Sequence, residues 1–143
     1  MLAPNLTVIS IEASLNFYVG VLGFKELGKM PGPDGKLVHA MIQWQDVFFM
    51  FGTMDWLPPE DALHRGKGVN FYIYGSDDFD LDGFYKQLKA QDVTIVEEID
   101  DRFWGDRSFI IVDPDGYNLT FAKQVRLVSE EEMAEIMKSM PPM

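Results

Sequence analysis

The 143-residue sequence contains no cysteine and only two histidines, and its 12 Lys and Arg face 23 Asp and Glu, for a formal net charge of -11. Each shortage excludes something. Without cysteine there is no disulfide framework, no thiolate metal site and no cysteine nucleophile, and a reducing, cytoplasmic setting is the expected location. The acidic balance opposes attraction to nucleic-acid backbones and to anionic lipid, so neither nucleic acid nor membrane is expected as a partner. No long apolar run precedes the first basic side chain, Lys25, so neither a signal peptide nor a membrane span is read. What is present is 47% apolar residues, enough for one globular domain with a full core.

An internal repeat organises the chain. Ser14, Phe17, Tyr18 and Val21 recur in type or position as Leu81, Phe84, Tyr85 and Leu88, 67 residues later. Each set has the i, i+3, i+4, i+7 spacing of one helix face and follows a short strand-like run, Leu6 to Ile9 or Val69 to Tyr74. In the first half, strands are predicted near Phe24 to Lys29, Leu37 to Trp44 and Val47 to Phe51, the first two joined by the turn Pro31, Gly32, Pro33, Asp34, Gly35. In the second they are predicted at Val93 to Glu97, Ser108 to Val112 and Tyr117 to Ala122, with Asp113-Pro114-Asp115-Gly116 between the last two. The pattern is βαβββ twice, an α+β fold with modules at about 1–52 and 68–123. A linker, 53–67, is stiffened by Trp56, Pro58 and Pro59. Residues 124–143 form an extension in which Ser129 and Glu132 make a capping box. Met133, Ile136, Met137 and Met140 there form a helix stripe that Pro141 and Pro142 stop.

Three segments carry a family resemblance: ASLNFYVGVLGF at 13–24, FYKQLKAQDV at 84–93 and WGDRSFIIVDPDGYNLTF at 104–121. They resemble the glyoxalase, bleomycin-resistance and extradiol dioxygenase superfamily, the vicinal oxygen chelate proteins, and the likeness spans residues 3–123. The resemblance implies a U-shaped mixed sheet around a cavity, with helices on the convex side. Fold alone does not give the reaction. Metal-dependent members carry a His, Gln or Glu ligand on the first and last strand of each module, and the matching positions here are Ala3, Met50, Asn70 and Thr120. A transition-metal centre requires imidazole or carboxylate donors at about 2.0 to 2.2 Å. These four supply none, so no metal and no cofactor is expected.

The other candidates for chemistry are few. His39 lies on a strand whose facing the alternation leaves open, and His64 lies in the linker beside Arg65. Asp78, Asp80, Asp82 and Gly83 open like a calcium loop, but Lys89 stands at the twelfth position, where a bidentate Glu is needed. A helix start that favours carboxylates is the better reading. Glu97, Glu98, Asp100 and Asp101, next to Arg102, read as a solvated loop.

Strand parity places Tyr72 and Tyr74 on the face of Asn70, and makes Asn5, Thr7, Phe48 and Asn118 companions of the four ligand-position residues. Trp104 is a wall or lid. The candidate ligand-binding residues are therefore Asn5, Thr7, His39, Phe48, Met50, Asn70, Tyr72, Trp104, Asn118 and Thr120. Aromatic faces, amides and a thioether suit a bulky planar ligand, and the acidic charge suits a cationic one. Two functions compete. One is a metal-free binding protein, similar to the bleomycin-resistance branch, that sequesters an aromatic drug or natural product as a homodimer. The other is a lyase or dioxygenase of the glyoxalase type, using a displaced divalent metal or acid-base chemistry from Tyr72, His39 or Glu side chains. The first needs no catalytic group and is preferred.

Overall fold

The structure, a computed structural model, describes residues 1–53 and 64–141. The linker residues Trp56, Pro58 and Pro59, and Pro142, lie outside the described residues. The order is β1 (Asn5–Thr7), α1 (Ile11–Leu15), β2 (Lys25–Pro31), β3 (Leu37–Trp44) and β4 (Val47–Gly52), then β5 (Asn70–Tyr74), α2 (Leu81–Ala90), β6 (Ile95–Asp101), β7 (Asp106–Val112) and β8 (Asn118–Gln124), with α3 (Glu130–Lys138) last. This is βαβββ twice plus a helix. The strands form two mixed sheets of four, β1-β4-β3-β2 and β5-β8-β7-β6. In each, the first strand runs parallel to the last and the other pairs are antiparallel.

Local chemistry explains the helices. The Ser10 hydroxyl accepts from the Ala13 N–H at 3.1 Å and starts α1. The helix then widens into a π-helical segment, Asn16–Val21, closed by the Leu22 N–H on the Phe17 carbonyl at 2.9 Å. Within the repeated stripe this turn buries Ser14 and Tyr18 completely, while Phe17 and Val21 are only half-buried. In α2, Asp80 is the N-cap and accepts from Gly83 N–H at 2.9 Å, and Leu81, Phe84, Tyr85 and Leu88 are all buried, as the spacing requires. The acidic run before it is thus a helix start, with Asp82 paired to Arg107 at 3.0 Å.

One expectation is corrected. Glu97 to Asp101 is not a loop: it lies inside β6, which runs to Asp101. An edge strand leaves charged side chains in water while the backbone pairs on one side. The charges are also neutralised, Glu97 by Arg102 at 2.8 Å, Glu98 by Lys89 at 3.3 Å and Asp101 by Arg107 at 3.0 Å. At the chain's end Ser129 caps α3 by accepting from Glu132 N–H at 3.1 Å, but no residue of α3 is buried. Among the described residues no helix is long and apolar enough to cross a membrane.

The two modules share one core. On β3 and β4, Ala40, Ile42, Phe49 and Phe51 are buried on the helix-covered face. On β7 and β8 the same is true of Phe109, Ile111, Leu119 and Phe121. Trp44, on the same face of β3, has its ring 5.4 Å from that of Phe121 and 6.3 Å from that of Phe84, and Phe49 lies 5.0 Å from Phe71. The sheets therefore meet through their helix-covered faces. Their other faces, the ones the sequence reading assigns to a cavity, are turned away from this shared core.

Candidate functional site

Ladder register shows what each bare face carries. On the first sheet Asn5 stands beside Met50 and Met50 beside Met41, while Gly52 stands beside both Thr7 and His39, His39 beside Met30, and Phe48 beside Gln43. Side chains at paired positions share a face, so the facing of His39, which alternation alone left open, is the bare one. This face is rich in methionine. Thr7 is buried on it, and Met30 is exposed. On the second sheet Asn70 stands beside Asn118, Tyr72 beside Thr120 and Tyr74 beside Ala122. Ala122 stands beside Ser108, and Asp106 beside Gln124.

The second face holds a built constellation. The hydroxyls of Tyr72 and Tyr74 both donate to Oδ2 of Asp106 at 2.7 Å, and the Trp104 indole N–H reaches the same oxygen at 3.1 Å and the Tyr72 hydroxyl at 3.0 Å. Asp106 is only 3% exposed, whereas Tyr72, Tyr74 and Trp104 keep 38%, 53% and 39% of their surface open. The turn before β7 places the indole. Gly105 there has φ +103, and a Cβ at that position would run into the Arg126 carbonyl. Burial, then the bond to Asp106, pushes the Tyr72 phenol up. Tyr74 is pushed up to about 12, first by its bond to Asp106 and then by burial. Both phenols therefore stay protonated donors near neutral pH. Beside them Arg102 donates to the Ser108 hydroxyl at 3.0 Å and pairs with Glu97.

The sequence-derived residues fall into two sets. Asn70, Tyr72, Trp104, Asn118 and Thr120 belong to the second module, where the Thr120 hydroxyl donates to the Asn70 amide oxygen at 3.1 Å. Asn5, Thr7, His39, Phe48 and Met50 belong to the first sheet. One shallow depression of about 290 Å³ brings Phe48, Asn70 and Tyr72 together, with Leu2, Pro4 and Val47. His64 lies in a different depression, beside Arg65 and Tyr117. Trp104 is held by two hydrogen bonds rather than hanging free over the sheet. Asp106, Ser108 and Arg102 are absent from the sequence-derived set, and Tyr74 was recognised only by parity. Part of the signal for Asp106 was available: it lies two residues before Ser108, on the same face of β7.

The metal positions of the family can be tested on this geometry. Thr120 is buried with its hydroxyl committed to Asn70, and Met50 lies beside Met41. Among the described residues no group of three or more His, Asp or Glu side chains is placed to hold a metal ion. The residues present do not fit the metal centre of the metal-dependent members.

The fold defines the class. The Glyoxalase/Bleomycin resistance protein/Dioxygenase superfamily profile matches residues 2–121, and the chain belongs to this superfamily. Uncharacterized proteins of Mycobacterium bovis and Mycobacterium tuberculosis are 30% identical over 96% of this chain, which covers 92% and 82% of their lengths. Among solved structures, TioX from Micromonospora sp. ML1 superposes with a TM-score of 0.69 at 21% identity, covering 86% of this chain and 97% of that one. TnmS3, an antibiotic binding protein from Streptomyces sp. CB03234, gives 0.63 at 20% identity over 85% and 93%. At these identities the structures establish a shared fold.

Proposed function

We propose that this chain is a metal-free binding protein that sequesters a bulky aromatic drug or natural product without altering it. In the proposal it acts as a homodimer, with each groove formed by the bare face of the first sheet of one copy and that of the second sheet of the other. The observation that carries the reading is the back-to-back packing of the two modules through Trp44, Phe84 and Phe121. It separates two faces of complementary chemistry, one of methionines and one of tyrosines, amides and an indole. Thioethers pack favourably on aromatic rings and adapt to irregular ligands. Pockets of mixed apolar wall and few polar groups are the usual small-molecule sites. The similarity to TnmS3, an antibiotic binding protein, agrees with this reading. A cytoplasmic location is part of the proposal, consistent with a cysteine-free chain.

The test is a titration of uncharged planar and intercalating antibiotics, with EDTA present, followed by tryptophan emission. Wild type, Tyr72→Ala and Asn70→Leu are compared. At least one compound should bind saturably, more weakly in both variants, and be recovered unchanged. A chemically altered compound would favour the lyase or dioxygenase reading, and equal affinity in all three proteins would remove this face as the site.

A further inference from the structure

We infer that Tyr72, Tyr74 and Trp104 form an aromatic cage over the buried Asp106 carboxylate that binds an alkylated ammonium group, the cationic end of a ligand. The inference rests on the binding-protein reading and gives its ligand a charge and an anchor point.

The argument begins with the unbalanced charge. Among the described residues no Lys, Arg or His nitrogen lies within ion-pair distance of Asp106, and the neighbouring guanidinium of Arg102 is already matched by Glu97 at 2.8 Å. Neutral donors alone hold the buried carboxyl group, and the three that converge on Oδ2 match the acceptor-only carboxylate form of the side chain. Negative charge therefore sits under the rings. It is reinforced by a net charge of -11 over the whole chain and by Asp100, which stands beside Ser108 on the next strand.

The rings make the second half of the case. Their polar atoms all point at Asp106, which fixes their orientation and leaves π surface in water: the Tyr72 and Tyr74 centroids are 5.2 Å apart at 50°, and the Phe103 ring meets Trp104 edge-on at 4.9 Å. A cation over such faces is drawn by the ring quadrupoles as well as by the carboxylate. The type of cation follows from what the site lacks. Oδ2 already takes three donors, which leaves Oδ1 as the one carboxylate oxygen for the three N–H groups of a primary ammonium. A divalent metal would find one carboxylate where it needs several oxygen ligands. A methylated or quaternary ammonium needs no acceptor and is weakly hydrated, so it matches the cage.

The experiment uses the full chain labelled with nitrogen-15 and reads the Trp104 indole N–H resonance. The probe is phenyltrimethylammonium, and the control is its uncharged isostere tert-butylbenzene. The cation should shift Trp104 saturably, and the isostere should bind at least about tenfold more weakly. Asp106→Asn and Tyr74→Leu should each weaken the cation by about tenfold or more, and Tyr74→Phe, which keeps the ring, by no more than about threefold. If Asp106→Asn perturbs the fold, as its amide spectrum would reveal, the Tyr74 pair and the isostere decide. Equal binding of cation and isostere, no cation binding, or undiminished binding in Tyr74→Leu overturns the cage. Because all four side chains belong to one module, the outcome is separable from that of the groove. A protein that binds an uncharged planar antibiotic sensitive to Asn70→Leu, yet ignores the cation, loses the cage and keeps the groove.

Discussion

The hydroxyl of Tyr18 donates a buried 2.8 Å hydrogen bond to Oδ2 of Asp113, 95 residues away, so the first module's helix is fastened to the turn between the last two strands of the second. The same turn holds further partners: Asp115 accepts from the Ile9 N–H and from Arg65, both at 2.9 Å. In the opposite direction the Gln45 side-chain oxygen accepts from the Ser76 N–H at 3.0 Å. Tyr18→Phe keeps the ring but leaves the buried carboxylate short of a donor, which should destabilise the chain by about 1–3 kcal/mol. Urea denaturation of the two proteins measures this, and an unchanged midpoint would mean that the bond contributes nothing net.

Asp113 also makes a pH prediction. Burial raises its pKa, against the bonds from Tyr117 N–H, the Tyr18 hydroxyl and Asp115 N–H that lower it. A raised carboxyl pKa means that the folded state binds more protons than the unfolded one across the window between the two values. Stability from this group is then full below the unfolded pKa and falls as pH rises through the folded value. Denaturation of wild type and Asp113→Asn from about pH 3 to pH 7 should show wild type losing ground to the variant as pH rises. A gap that widened in favour of wild type over that range would reverse the assigned direction.

The fold was legible because its periodicities are local. The α2 stripe, the strand Leu37–Trp44 and the Ser129 cap each follow from side chains within a few residues of one another. Glu97 to Asp101 misled because solvated carboxylates look alike on a loop and on an edge strand. Pairing with β7 and with Arg102, Arg107 and Lys89 decides between them. The site was legible only in part. Parity showed that Asn70, Tyr72 and Tyr74 share a face, but alternation says which residues are buried, not against what. Hence the packing of Trp44 on Phe121 and the convergence of three donors on Asp106 had no signature in the spacing.

The capping role of Asp80 separates the helix-start reading from a calcium loop. Asp80→Ala should cost about 0.5–2 kcal/mol by removing the acceptor for Gly83 N–H, and Asp80→Asn much less, since an asparagine caps nearly as well. Calcium should leave the melting temperature of wild type unchanged, because a ligand that binds the folded state raises it. A calcium-dependent rise would restore the metal-loop reading.

The donor set at Ala3, Met50, Asn70 and Thr120 predicts indifference to transition metals. Protein purified without chelator should carry no stoichiometric iron, nickel, zinc or manganese by elemental analysis, and EDTA should not move its melting temperature. One tightly held ion per chain, lost together with folded stability on chelation, would overturn the metal-free proposal.

The proposed pairing of two copies has a variant that isolates it. Every residue of β2 is exposed, Met30 and Leu27 with 55% and 41% of their surface open, and β1 and β5 are edge strands of their sheets. Edges and apolar side chains in this position invite association, and in the proposal the second copy covers them. In a chain that worked alone, Met30→Asp would be a surface substitution worth no more than about 0.5 kcal/mol. In the proposed dimer it puts a charge into the groove wall beside His39. Light scattering at micromolar concentration should give twice the chain mass for wild type and a single chain mass for Met30→Asp. The melting temperature should rise with concentration in wild type only, since association stabilises by mass action. A monomeric wild type would remove the dimer. A Met30→Asp variant that stayed dimeric, with unaltered affinity for a groove ligand, would place the contact on another surface, with the exposed Met137 of α3 the next to be substituted.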